Sequence, residues 1–290
     1  MQLIGAHMSI AGGVDKAIDR AEQLGCTAFQ IFLKQPRKLF DKPLSEQEIQ
    51  NWHAKLSASE IVKKVVAHTG YLINLAAHDD EKWERYIEAM ADEMSRADAL
   101  GIENLVLHPG SSNIPSDIGA EWGIKRVAAA IDRLYSEYDF AVNIALEIVA
   151  GGGTKVGSTF EELAAIIDAS KFAHKLRITF DTCHAFAAGY DFGTEEKYHR
   201  MWQQFDEILG RERLVCIHMN DSKHPFNSKK DRHEHIGKGF LGIEPFRLIM
   251  QDPSLAEIPK ILETPKKDDM DRVNLKLLWE LAGETPPVEL

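Results

Sequence analysis

At 290 residues, with a formal net charge of −11 and 44% apolar side chains, the chain is long enough for one large α/β barrel. That charge argues against a general nucleic-acid coat protein, which would show a basic face, and the three scattered cysteines, Cys26, Cys183 and Cys216, are too few for a disulfide framework and suggest a reducing compartment. No apolar run approaches the roughly 20 residues of a membrane span, and the N-terminus enters a strand at once without a signal-peptide pattern, so a cytoplasmic protein with no membrane partner is expected.

A first strand is predicted over Leu3–Met8. The Ser9–Gly13 turn leads into a helix with Val14, Ala17, Ile18, Ala21 and Leu24 at near-helical spacing, stopped by Gly25. Thr27–Leu33 reads as a second strand. Ser45 and Glu48 fit a capping box that opens a helix to about Leu56. Lys64–Ala67 is a short third strand ending at His68. A long helix over Glu81–Leu100 follows, with Trp83, Ile87, Met90, Met94 and Ala97 inward and Gly101 as its stop. Asn104–Leu107 is a fourth strand ending at His108, and a helix over 117–135 turns Ile124, Val127, Ala128, Ile131 and Leu134 inward.

Ala141–Leu146 is a fifth strand ending at Glu147. Ser158 with Glu161 suggests a second capping box and a helix through Ile167. Leu176–Phe180 is a buried strand ending at Asp181, with His184 expected in the loop beyond it. A helix over Thr194–Leu209 precedes a seventh strand, Leu214–Ile217, which ends at His218. Residues 219–242 read as a long polar loop, followed by a short helix over Glu244–Met250. Ile258–Leu262 is an eighth strand ending at Glu263, before a last helix over Asp268–Leu281. Eight strand-then-helix units without a linker between them imply a parallel sheet closed as a (β/α)₈ TIM barrel, one domain over 1–290. Its site would lie at the C-terminal ends of the strands.

Six strands therefore end in His68, His108, Glu147, Asp181, His218 and Glu263. Any one of these could be a loop hydrogen bond or a satisfied buried histidine. All six on one rim would crowd carboxylates and imidazoles that need charge compensation, which a metal cluster supplies. His184, and Asp231 with His233 in the long loop, extend the set to nine. At three or four ligands per zinc with one shared carboxylate, there is room for three ions. Four carboxylates against three divalent ions leave the loaded site at about +2, which would attract a phosphodiester; such sites activate a bridging water. His7 reads as a hydrogen-bonded neighbour of the site, His235 as a neighbour or a decoy, and His53, His78, His174, His199 and His224 as solvated.

These residues stand in motifs that resemble endonuclease IV, the zinc-dependent apurinic/apyrimidinic (AP) endonucleases of base-excision repair. The motifs are Gly5-Ala6-His7-Met8-Ser9 with Ala11-Gly12-Gly13, His68-Thr69-Gly70-Tyr71-Leu72-Ile73-Asn74-Leu75, His108-Pro109-Gly110-Ser111, Asp181-Thr182-Cys183-His184-Ala185, His218-Met219-Asn220-Asp221-Ser222-Lys223, Asp231-Arg232-His233 and Ile261-Leu262-Glu263-Thr264. The resemblance implies a barrel with three zinc ions. It implies that His68, His108 and Glu147 bind one, that Glu147 bridges to a second completed by Asp181, His218 and Glu263, and that His184, Asp231 and His233 hold the third. The implied reaction is hydrolysis 5′ to an abasic site in double-stranded DNA, leaving a 3′-hydroxyl and a 5′-deoxyribose phosphate, with trimming of blocked 3′ ends. Glu147 and Glu263 are the expected catalytic carboxylates, and a monomer is expected.

By the same resemblance Arg37 and Tyr71 are expected to wedge into DNA at the missing base. The alternative for Arg37, flanked by Lys34 and Lys38, is an ordinary solvated loop. Three positions depart from the family's pattern: Ile148-Val149 replace a polar pair after Glu147, Leu39 an aromatic, and Lys238 an acid. The other enzyme reading is a metal-dependent sugar isomerase or epimerase on the same barrel, which would not need Asp231-Arg232-His233.

Overall fold

The computed structural model describes residues 1–114 and 117–290. In chain order the elements are β1 Ile4–Met8, α1 Lys16–Gln23, β2 Ala28–Phe32, α2 Glu46–Ala58, β3 Lys64–His68, α3 Asp80–Ala99, β4 Asn104–Leu107, β5 Gly110–Ser111, α4 Asp117–Glu137 and β6 Asn143–Glu147. They continue with β7 Lys155–Val156, α5 Phe160–Ala169, β8 Leu176–Asp181, α6 Thr182–Ala188, α7 Glu195–Ile208, β9 Leu214–His218, β10 Asp221–Ser222, β11 His233–Glu234, α8 Glu244–Gln251, β12 Lys260–Leu262 and α9 Met270–Ala282. Eight parallel strands close in the order β1-β12-β9-β8-β6-β4-β3-β2. The ring shuts where Ile4, Gly5 and Ala6 pair with Lys260, Ile261 and Leu262.

Strand alternation divides the apolar residues into two layers. Ala28, Val66, Val106, Ala145, Cys216 and Ile261 form a small cluster within the barrel. The larger core lies between the strands and the surrounding helices, and includes Phe29, Trp52, Phe160, Phe180, Trp202, Phe246 and Trp279. Gly5 marks a close approach of β1 to β2: a Cβ there would stand 1.6 Å from the carbonyl oxygen of Ala28.

The helices are stopped and started by local chemistry. Ser45 and Glu48 make the expected reciprocal capping box on α2. The cap on α5 is shifted by one residue from expectation. Thr159 accepts from the amide of Glu162, and Glu162 Oε2 turns back to the amides of Gly157 and Ser158, at 2.8 and 2.7 Å. The segment after Asp181 is a helix, α6, and not a loop. Asp181 is its N-cap, accepting from the amide of His184 at 2.7 Å, and Gly189 closes it at φ +111°. The long loop over 219–242 contains the small antiparallel pair β10–β11, with Asp221 opposite Glu234 and Ser222 opposite His233.

Candidate metal centre

Alternation also positions the site. A residue two positions beyond an inner-layer residue points to the same face, one step closer to the rim. His68 follows Val66, His108 follows Val106, Glu147 follows Ala145, His218 follows Cys216 and Glu263 follows Ile261. Asp181 follows Thr179 in the same way. Six side chains thereby meet at one end of the barrel, and α6 and β11 add His184 and His233.

Three groupings result, in each of which one ligand atom per residue lies within 4.8 Å of the others: His68 with His108 and Glu147; Glu147 with Asp181, His218 and Glu263; and His184 with Asp231 and His233. Glu147 is the hub. It is fully buried, and its oxygens lie 3.2 Å from His68 Nε2, 3.1 Å from His108 Nε2, 3.0 Å from His184 Nδ1 and 3.1 Å from His218 Nδ1. The floor of the site, Glu147, Asp181 and His218, is closed to solvent, whereas the side chains of His108 and Asp231 are each 38% exposed. Approach is therefore from the side of His108 and Asp231. Asp181, Cys183 and His233 also cluster, but burial pushes the Cys183 thiol up to about 12 and its sulfur donates to the carbonyl of Arg232 at 3.6 Å, so it is no match for the carboxylates as a ligand.

The outer hydrogen bonds fix which way each ring faces. His68 Nδ1 donates to the carbonyl of Thr69 at 2.8 Å, His184 Nδ1 to that of Ile148 at 3.0 Å and His233 Nδ1 to that of Glu263 at 3.1 Å. His218 Nε2 donates to Oε1 of Gln30 at 2.8 Å. A neutral imidazole with one nitrogen so engaged has only a lone pair on the other. Those lone pairs point at carboxylates and at one another: His184 Nε2 lies 3.1 Å from Asp231 Oδ1 and 3.4 Å from His233 Nε2. His218 Nδ1 has oxygens of Glu147, Glu263 and Asp181 at 3.1, 3.2 and 3.8 Å. A centre composed of acceptors requires cations. Protons answer the same demand: burial opposes charge on His184 and His218, yet the surrounding carboxylates outweigh it and hold both rings well above 6.5. Divalent ions with nitrogen and oxygen preference fit this donor set.

Two buried side-chain amides, neither of a metal-ligand type, complete the frame. Gln30 donates to Glu263 Oε1 at 2.6 Å while accepting from His218. Asn220 donates to Asp181 Oδ2 at 2.7 Å and accepts from the amide of Glu263 at 2.9 Å. Gln30 was detectable, because it stands two residues beyond the inner Ala28. His7 is half-buried beside the site as expected, with Nδ1 at 2.9 Å from Gln30 Nε2 and 3.7 Å from Glu263 Oε1. His235 is a neighbour at one remove, its Nδ1 3.1 Å from Asn274 Nδ2. His53, His78, His174 and His199 are exposed and His224 is half-buried. The departure at Ile148 leaves the centre intact, since its backbone carbonyl, not its side chain, orients His184.

Arg37 and Tyr71 lie outside the ligand set, on the rim. Tyr71 is 64% exposed and its ring sits 5.2 Å from that of Phe32; Leu72 beside it presents a further exposed apolar surface. Arg37 is exposed at the third position of a turn in which the amide of Lys38 donates to Gln35 at 3.0 Å. Lys34 is not part of a solvated loop: it is 4% exposed and paired with Asp92 at 2.6 Å. A cavity of about 430 Å³ opens between Tyr71, Phe32, His108, Asp231 and Glu263. It adjoins a groove of about 1040 Å³ lined by both signs of charge, where Lys42, Lys266 and Arg272 pair with Glu48, Asp271 and Asp269 and Arg20 donates to the carbonyls of Ser9 and Ala11.

Residues 18–281 match the family model described as xylose isomerase-like TIM barrel. The chain is 47% identical over 96% of its length to a probable endonuclease 4 of Trichlorobacter lovleyi, covering 99% of that protein. It is 45% identical over 96% of its length to the probable endonuclease 4 of Geobacter sulfurreducens, covering 94% of it. Among solved structures, endonuclease IV from Thermus thermophilus superposes with a TM-score of 0.84 at 37% identity, over 97% of this chain and 99% of that one. A D-tagatose 3-epimerase-like protein superposes with a TM-score of 0.75 at 18% identity, over 98% and 97% of the two chains, a likeness of fold alone.

Proposed function

Because the chain belongs to the endonuclease IV family of xylose isomerase-like TIM barrels, we propose that it is a DNA-repair AP endonuclease that hydrolyses the phosphodiester 5′ to an abasic site at a three-zinc centre. The observation that carries the reading is the inward-facing acceptor set: four histidines whose outer nitrogens are spent on carbonyls, around four carboxylates. His68, His108 and Glu147 hold one ion, Glu147, Asp181, His218 and Glu263 a second, and His184, Asp231 and His233 the third. Bound zinc supplies Lewis-acid activation of water and neutralises charge at the phosphate.

The remaining work falls to the chain. Gln30 and Asn220 hold Glu263 and Asp181 in place. Glu147, buried and ringed by imidazoles, is kept ionised, since those rings outweigh the effect of burial. Glu263, whose side chain is 18% exposed and borders the cavity, is the carboxylate placed to hold or pass a proton at Oε1 or Oε2. Tyr71 and Arg37 enter the duplex where a base is missing, the step that an abasic site makes less costly. The acidic chain meets DNA at the rim, where Arg37 is exposed. Trimming of blocked 3′ ends uses the same site. A monomer in the cytoplasm suits this role; among the described residues no helix is long and apolar enough to cross a membrane.

The test is an end-labelled duplex with one abasic analogue, with metal content measured on the same sample. Cleavage 5′ to the lesion, lost on chelation and restored by zinc, is expected. Glu263→Gln should bind the duplex and lose turnover; Arg37→Ala and Tyr71→Ala should weaken binding at full metal content. A fully metallated protein that leaves the duplex intact while isomerising a sugar would overturn the reading.

A further inference from the structure

The two rim loops share one foundation, and it is made of charge. Lys34, at the start of the loop that carries Arg37, has its side chain 1% exposed. Its Nζ lies 2.6 Å from Asp92 Oδ2 and 3.5 Å from Glu93 Oε1, both on α3. Glu93 Oε1 also accepts from the amide of Gly70, at 3.1 Å, the residue before Tyr71. The amide of Tyr71 in turn donates to the carbonyl of Pro36, the residue before Arg37, at 2.9 Å. Arg96, one turn on, binds Asp92 at 3.0 Å and reaches the carbonyls of Asp41 and Lys42 at 3.0 and 2.8 Å, clamping the far end of the same loop.

Such a cluster is a poor way to gain stability. Burying charges costs about as much as their pairing returns. Glu93 Oε2 is buried with no hydrogen-bond partner among the described residues, a cost that a well-packed apolar pair would avoid. What the arrangement supplies is position: one face of one helix sets the height of both loops. The fit is close, since a Cβ on Gly70 would stand 3.0 Å from the Pro36 oxygen and 3.4 Å from Glu93 Oε1. From this we infer that Glu93, through Lys34 and the amide of Gly70, is a positioning residue for engagement of the lesion, setting Arg37 and Tyr71 as a pair without touching either metal ligands or DNA. The inference rests on the proposed function for what the loops meet.

The test uses zinc-loaded protein, wild type against Glu93→Gln and Gly70→Ala. Three quantities are read: KM and kcat on a duplex with a tetrahydrofuran abasic analogue, turnover of bis(4-nitrophenyl) phosphate, and zinc per chain. The small diester has nothing for the rim loops to hold. Glu93→Gln is expected to raise KM on the duplex about tenfold or more, the scale of a small misplacement, with small-diester turnover and zinc unchanged. An unchanged KM overturns the inference, as does an equal loss on both substrates or loss of zinc. If Glu93→Gln does not fold, Gly70→Ala decides by the same criteria. Amide hydrogen exchange at Gly70 and Tyr71 is followed in parallel and should quicken in Glu93→Gln. If wild-type protein leaves the duplex intact, the proposed function falls while exchange still reads the tie; exchange at the wild-type rate would refute the tie itself.

Discussion

Gln30→Ala is the most informative single change beside the candidate metal centre. Gln30 is fully buried, and its amide is used at both ends: Nε2 donates to Glu263 Oε1 at 2.6 Å and Oε1 accepts from His218 Nε2 at 2.8 Å. Removing it leaves Glu263 one donor short and frees His218 to move its proton to Nδ1, the nitrogen that faces Glu147, Glu263 and Asp181. Each bond to a charged partner is worth about 1.5–3 kcal/mol, and a water entering the space returns part of the two together. The net loss should match that of other groups that orient metal ligands, about 10–100-fold in affinity, or about 1.4–2.7 kcal/mol. Competition for zinc against a chelator of known affinity measures this directly, with thermal unfolding at saturating zinc as the control for folding. Gln30→Glu should be worse, because it sets a second carboxylate oxygen against Glu263 at the 2.6 Å spacing. Chelator curves for Gln30→Ala that overlay those of the wild type would refute the view that outer hydrogen bonds fix the ring orientations.

In the metal-free protein His184 and His218 are held well above 6.5, so between 6.5 and those raised values the folded chain binds protons that the unfolded chain does not. Their stabilisation is fully present below about 6.5 and is lost as pH rises through the raised values. Zinc requires the bare rings, so its affinity runs the other way and rises over the same interval; Tm of the metal-free protein should fall as pH is raised past neutrality, and zinc titration in buffers of differing ionisation enthalpy should show proton release, with no release counting against the coupling. Ile148→Val should cost about 0.5–1.5 kcal/mol in urea unfolding and leave zinc per chain unchanged, since Ile148 contributes its carbonyl to His184; loss of zinc would show that the side chain matters. Phe180→Ala, at a fully buried ring packed on Phe160, Phe192 and Trp202, should cost about 3–5 kcal/mol, and a loss under about 1 kcal/mol would mean that the outer core closes up around it.

Much of the barrel and its rim was legible because both obey the same alternation. A β-rich run ending in His, Asp or Glu signals a strand end, and in a closed parallel sheet strand ends converge. The rule extends to Gly5 with His7 and to Ala28 with Gln30, so all eight strands place a residue at the rim; the Gln30 amide is not a ligand type and so carries no signal of its own. Helix α6 was hidden because Asp181 does two things, capping a helix with Oδ1 and facing Asn220 with Oδ2. The shifted cap at Thr159 was hidden because Ser158 is the better cap residue and both have a glutamate three positions on, so only the turn-back of Glu162 chooses between them. Least legible were Glu93 and Arg96. Helical periodicity marks the apolar stripe of α3 at Trp83, Ile87, Met90, Met94 and Ala97, and nothing in that pattern says that charged neighbours are buried with it.

The ligands run from His68 to Glu263, and β12, which brings the last of them, is also the strand that shuts the ring against β1. Of the three groupings, the one of Glu147, Asp181, His218 and Glu263 waits for that strand, whereas His68, His108 and Glu147 already meet at the ends of the neighbouring β3, β4 and β6. A partly folded chain would offer a divalent ion that earlier grouping, and the four-residue grouping would be complete when the final strand docks. Metal in the four-residue grouping would then act as a late latch on barrel closure, stabilising the closed form by mass action. Completion of the centre would thus be tied to closure of the ring by where Glu263 falls along the chain.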